Sequence, residues 1–198
     1  MPRTPEYDRD QVISRATATF WERGYGQTSI THLVKSTGLQ PGSLYAAFGS
    51  KKGVFLEVID AYNRQFLERF RHQCRRGTPS LAAFRELLLD VVEQAASGED
   101  RRGCLTVNAL LEVSQHEPEI ADRLRGHSER LQCEFAAFLD DLREAGELAA
   151  HHDPEALSLF LVNNLWGMRV MCKANPDRRA MLAVVDALMA ALEAPAPR

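Results

Sequence analysis

The chain has 198 residues, 45% of them hydrophobic and 26% charged, with a formal net charge of −3. This composition excludes a disordered chain, and a chain of this length buries roughly 70% of its unfolded surface, so folding requires no disulfide or structural metal. No run reaches the roughly 18 apolar residues of a membrane span, and the opening MPRTPEYDRDQ lacks a signal peptide's apolar core.

The expectation is a cytoplasmic protein without a membrane partner. Its four cysteines (Cys74, Cys104, Cys133, Cys172) lie far apart with no zinc-ligand spacing, and their thiols are expected to be reduced. Charge is unevenly spread. Residues 1–52 carry seven Lys/Arg against four acids, and the remainder is acidic. An anionic polymer would therefore meet the N-terminal part.

Apolar residues recur at intervals of three and four throughout, strand-like alternation is absent, and the fold class is all-α with about nine helices. From Asp10 to Arg23, Ile13, Ala16 and Phe20 form one face, and Gly24 is expected as a left-handed cap. A short helix over 29–36 turns Ile30, Leu33 and Val34 inward. Gly38 makes a turn, and Pro41 opens a third helix reaching Phe48. Ser50 caps a long helix to about Gln73, with Val54, Phe55, Val58, Tyr62, Phe66 and Phe70 on its apolar side. Further helices are predicted over 80–96, 104–115, 118–146, 154–173 and 176–193. A polar loop separates the first two of these, at 98–103, and a frayed tail follows at 194–198.

The pair 29–36 and 41–48 has the dimensions of a helix-turn-helix. Ile30, Leu33 and Val34 would face Leu39, Leu44 and Phe48, leaving Gln40, Pro41, Gly42, Ser43 and Tyr45 at the start or on the polar face of the second helix. Small residues permit close approach to DNA, Gln and Ser read base edges, and a tyrosine hydroxyl donates to phosphate. Lys51 and Lys52 stand at a helix start that favours phosphate. Many all-α proteins contain such a helix pair, so spacing alone leaves DNA binding and simple packing both open.

The ordered set Phe20-x-x-x-Gly24-Tyr25-x-x-Thr28-Ser29-Ile30, Gly38-Leu39, Gly42-Ser43-Leu44-Tyr45-x-x-Phe48 and Ser50-Lys51-x-x-Val54-Phe55 resembles the TetR/AcrR family of transcriptional regulators over about residues 9–56. The resemblance implies a DNA-binding domain over 1–52 and a helical effector-binding and dimerisation domain over 53–198. It further implies a homodimer on a double-stranded, palindromic operator, a repressor released by a small molecule, and no enzyme activity or cofactor. Thr28 and Ser29 would contact phosphate by the same resemblance. Where the family often has alanine, this chain has Val34 and Thr37. It has Gln40 in place of serine and Ala47 in place of histidine. Loss of that histidine shifts backbone anchoring onto Tyr45 and Lys51, with Gln40 and Ser43 left for base readout.

Two apolar helices end the chain. Phe160, Leu161, Asn164, Met168, Val184, Val185 and Leu188 are candidates for a face buried against a second copy, or for the core of a single chain. Candidates for an effector pocket are Phe66, Phe84, Cys104, Asn108, Phe135 and Trp166. Asn108, Asn163 and Asn164 are notable for their apolar neighbours, and this lining suits an apolar or aromatic effector. Cys104, at a helix start beside Arg101 and Arg102, reads either as a thiol switch for oxidants or as a small core residue. Cys133 and Cys172 read as core. His116 and the pair His151–His152 read as solvated caps and not as metal ligands. An all-α enzyme or small-molecule carrier is the alternative class, with no nucleophile–base pair to support it.

Overall fold

The computed structural model describes residues 7–97, 102–113, 115–174 and 177–193. The loop at 98–101 with Arg101, the expected helix start at Pro176 and the tail 194–198 lie outside them. Among the described residues nine α-helices follow one another, and they distribute over two compact units.

The first unit comprises residues 1–64 and 105–125. It contains α1 (Arg9–Arg23), α2 (Ile30–Thr37), α3 (Pro41–Phe48), the first turns of α4 (Lys51–Phe70), α6 (Leu105–Val113) and the first turns of α7 (Pro118–Glu144). The Asp8 carboxylate starts α1 by accepting from the amides of Asp10 at 2.9 Å and Gln11 at 3.2 Å. Val12, Ala16 and Phe20 then face a core shared with Leu33, Leu44, Phe55, Val58, Leu105, Ala109, Ile120 and Leu124. Phe20 and Tyr25 pack on Phe55, with ring centroids 4.7 and 4.9 Å away. The partition expected at residue 52 is thus not a packing boundary, since the start of α4 and all of α6 belong to this core.

The second unit comprises residues 65–104 and 126–198. After Phe70 the helix widens into a π-helical turn, Arg71–Arg75, where one α-helix to Gln73 had been expected. This turn buries Cys74 and brings Arg71 and Arg75 to acids of α7: Arg71 pairs with Glu134, and Arg75 with Asp141 at 2.7 Å. Phe70, Phe84 of α5 (Leu81–Ala96), and Phe135 and Phe138 of α7 form a four-ring cluster. Its edge-on pairs include Phe70–Phe135 at 5.0 Å and Phe70–Phe138 at 5.4 Å. Around it pack α8 (Pro154–Ala174) and α9 (Arg178–Leu192) through Leu161, Leu165, Met168, Met181, Val185 and Leu188. The last helix begins at Arg178, where the Asp177 carboxylate caps it by accepting from the Arg179 amide.

Candidate nucleic-acid interface

The turn between α2 and α3 rests on three devices. Gly38 takes the left-handed conformation (φ 78°, ψ 1°), open only at a cost to other residues, and its amide donates to the Val34 carbonyl at 3.0 Å. Pro41 occupies the first turn of α3. The third device is Thr37, which stands where the resembling family often has alanine. Its buried hydroxyl donates to the Leu33 carbonyl at 2.6 Å and accepts from the Leu39 amide at 3.3 Å, stitching helix to turn. Arg15 of α1 adds a donor to the Thr37 carbonyl at 3.4 Å.

With Leu44 and Phe48 buried, α3 turns Gln40, Pro41, Gly42, Ser43, Tyr45 and Ala46 to solvent. Tyr45 is 48% exposed, an unusual setting for a large ring. Gln40 sits at the N-cap without using its side chain to cap, so its carboxamide remains available for a base edge. A Cβ at Gly42 would meet nothing within 4 Å, so no intramolecular packing demands glycine there. No residue of α3 is acidic or basic.

The residues flanking α3 behave differently from expectation. Ser29 is exposed and caps α2 in a reciprocal box: its Oγ accepts from the His32 amide, and His32 Nδ1 accepts from the Ser29 amide, both at 3.2 Å. Its hydroxyl proton stays available for a phosphate. Thr28, expected beside it as a phosphate contact, is 1% exposed, and its hydroxyl donates to the Gly24 carbonyl at 2.6 Å. That proton is spent inside the fold.

Lys51, expected as an anchor for DNA, donates from Nζ to the Tyr25 carbonyl at 2.9 Å and lies 4.2 Å from the centroid of the Tyr25 ring. Lys52 pairs with Glu119 at 2.7 Å, and that hydrogen bond holds its ammonium above the ordinary lysine value. Burial, and then the Glu117 carboxylate beside it, push the Tyr25 phenol up to about 12. Its hydroxyl donates to Glu117 at 3.3 Å. Glu117 and Glu119 thus reach Tyr25 and Lys52 from far along the chain.

Gly24 also differs from expectation. Its φ is 79° but its ψ is 171°, an extended mirror-image conformation and not the left-handed cap.

The pocket candidates fall at several places in the fold. Phe84 and Phe135 are each 1% exposed inside the four-ring core, Phe66 and Trp166 pack half-buried at its edge, and Cys104 is buried. Asn108 lies on α6 in the first unit. A cleft of about 720 Å³ in the second unit is lined by charged residues, Arg71, Arg75, Arg76, Asp141 and Glu144 among them, and another of about 390 Å³ lies at Cys133, Asp140 and Asp153. Neither is bounded by any of the expected residues. Asn163 and Asn164 spend their side-chain amides on the Leu159 and Phe160 carbonyls of their own helix, at 2.9 and 2.8 Å. Cys133, read as core, is exposed.

The interface candidates divide in two. Leu161, Met168, Val185 and Leu188 are core residues at 2% exposure or less, since α8 and α9 bury them against α5 and α7. Phe160 is exposed, and Asn164 and Val184 are half-buried. With Leu159 and Val170 (47% and 48% exposed), Phe160 makes an apolar outer face on α8.

Comparison with known proteins fits this arrangement. Residues 12–58 match the family described as bacterial regulatory proteins of the tetR family, and residues 77–188 match the tetracyclin repressor-like C-terminal domain. The HTH-type transcriptional repressor ComR of Escherichia coli K12 is 26% identical over 183 residues, 92% of this chain and 87% of its own. The solved structure of a cysteine mutant of the TetR family regulator CifR, complexed with 26 bp double-strand operator DNA, is 33% identical with a TM-score of 0.81. That match covers 96% of this chain and 99% of the other. Reduced NemR of E. coli shares the fold with a TM-score of 0.86 at 17% identity, over 96% of this chain and 98% of its own. This chain belongs to the TetR family and is a DNA-binding transcriptional regulator.

Proposed function

We propose that this regulator represses transcription as a homodimer on a palindromic operator, and that a small molecule bound in its helical body, residues 53–198, releases it. Residues 1–52 supply the DNA-reading surface. The observation that carries this reading is the two-sidedness of α3, whose Leu44 and Phe48 are buried while Gln40, Pro41, Gly42, Ser43 and Tyr45 face outward. In this reading Gln40 and Ser43 contact base edges, Tyr45 and Ser29 donate to phosphates, and Pro41 and Gly42 let the backbone come close. Thr28 and Lys51 act one layer behind, holding the turn from which α2 starts. CifR, similar over nearly the whole chain, is bound to operator DNA in its own structure.

The outer face of α8, with Leu159, Phe160 and Val170, together with the exposed Ala183, Ala187 and Ala190 of α9, supports pairing with a second copy. Helices presenting such faces bury them in a four-helix bundle. Release would follow if the effector moved α4, which begins beside α3 and continues into the body, since half-sites on DNA impose a fixed spacing. Burial of Cys104 speaks for the small-molecule signal over a thiol switch at that position.

The test is selection from a random duplex pool with the full chain, then anisotropy titration of the enriched sequence at two salt concentrations. A palindrome is expected. Tyr45→Phe should weaken all sequences alike, and Gln40→Ala should relax preference at one position by about 1–3 kcal/mol. A pool that enriches nothing, or a Gln40→Ala profile identical to wild type, would overturn the assignment of α3.

A further inference from the structure

We propose that Glu112 of α6 is a positioning residue for operator binding. Its carboxylate is the seat on which the α1–α2 turn rests, and that turn sets the start of the helix-turn-helix. This rests on the DNA-binding reading of α3. Oε2 accepts from the Tyr25 amide at 2.9 Å and Oε1 from the Gly26 amide at 2.7 Å, so one carboxylate satisfies two consecutive backbone donors. Such bidentate, charge-assisted pairs fix direction as well as distance. The turn is shaped for this guest. A Cβ at Gly24 would lie 2.6 Å from Oε2, and one at Gly26 would lie 3.1 Å from Oε1.

From this seat the constraint runs a short way along the chain. The Tyr25 carbonyl accepts from Lys51 Nζ at 2.9 Å and from the Thr28 amide at 3.3 Å, and the Gly24 carbonyl accepts from the Thr28 hydroxyl at 2.6 Å. Ser29 follows at once as the cap of α2, which Thr37 stitches to the turn before α3. Most links are hydrogen bonds between groups at most four residues apart; the exceptions are Lys51 to Tyr25, 26 residues apart, and the first, which spans 87 residues of sequence. Among the described residues, the hydrogen bonds of Glu112 go to this turn and none to the outward face of α3. Its role is to fix where α2, and through it α3, begins.

The test compares wild type, Glu112→Ala and Glu112→Gln on the selected operator, with backbone amide exchange followed in the same samples. Glu112→Ala is expected to weaken binding about tenfold, a loss of one strong hydrogen-bonded contact. The salt slope should not change, because no phosphate contact is lost. The Tyr25 and Gly26 amides should exchange at least about tenfold faster while those of Leu87 and Leu88 in α5 keep wild-type rates. Glu112→Gln, which retains an acceptor, should recover part of the affinity. Operator affinity within about twofold of wild type in Glu112→Ala, or tighter, would overturn the proposal. So would an affinity loss that tracks the unfolded fraction, with exchange raised uniformly along the chain. A wild-type chain that enriches no duplex would instead overturn the DNA-binding reading on which the proposal stands.

Discussion

Lys51 offers a sharp test because sequence and structure give it different work. As a DNA anchor it would reach outward to a phosphate, whereas in the structure its ammonium meets the Tyr25 carbonyl at 2.9 Å and the Tyr25 ring at 4.2 Å. Lys51→Met keeps the length and apolar stem of the side chain and removes the charge. A hydrogen bond from a charged donor contributes about 1.5–3 kcal/mol when buried, and this half-exposed one is placed at about 1 kcal/mol. The cation–π contact adds about 0.5–1 kcal/mol. A combined loss of about 1.5–2 kcal/mol lowers the Tm of a chain this size by roughly 3–8 °C. Far-UV circular dichroism on heating measures that shift, and anisotropy against salt measures DNA contacts. The salt slope should be unchanged. A Tm within about 1 °C of wild type, with the slope reduced by about 0.9, would show that Lys51 neutralises a phosphate and that the brace is not its function.

Thr37→Val keeps the side chain's shape but leaves the buried Leu39 amide without its acceptor, and should cost about 1–3 kcal/mol in urea unfolding. Phe135→Ala should cost about 3–5 kcal/mol by the same measurement, because its ring contacts Phe70 and Phe84 in the core; a loss below about 1 kcal/mol would indicate a lining residue instead. The hydrogen bond from Arg71 holds the Glu134 carboxyl below the usual carboxylate range, so its stabilisation is complete above the unfolded value of about 4.3 and disappears as pH falls through the lower folded value. Glu134→Gln should therefore be about 1 kcal/mol less stable than wild type at neutral pH, with the gap closing in acid. Phe160→Arg should yield monomers in sedimentation if the outer face of α8 pairs two copies, and leave the protomer folded, since Phe160 is already exposed.

The parts of this protein that were legible in its sequence are those set by near neighbours. α3 occupies Pro41–Phe48 as expected because a proline starts it and a glycine follows it, and Leu44 and Phe48 turned inward because helical spacing leaves them no other side. Other features needed the third dimension. Leu161 and Phe160 are adjacent on α8, yet one is core and the other surface, a distinction that depends on which helices arrive from elsewhere. Asn163 and Asn164 stand among apolar neighbours in sequence, but each side-chain amide donates to the carbonyl four residues earlier. Phe84 and Phe135 are apolar enough for core or pocket wall, and in the structure both pack within the four-ring cluster. Lys51, Lys52 and Thr28 carried the right chemistry for phosphate, but an acid of α7 had claimed Lys52, and the α1–α2 turn had claimed Lys51 and Thr28.

The absence of charge on α3 separates two properties that many DNA-binding helices combine. When an arginine both reads a guanine and neutralises a phosphate, changing the preferred sequence also changes the grip on every other sequence. If Gln40 and Ser43 read bases as proposed, substitutions there would redirect preference while leaving the electrostatic hold on bulk DNA untouched. A duplicated copy could thus acquire a new operator in single steps, keeping the same search rate along the chromosome and the same sensitivity to ionic strength.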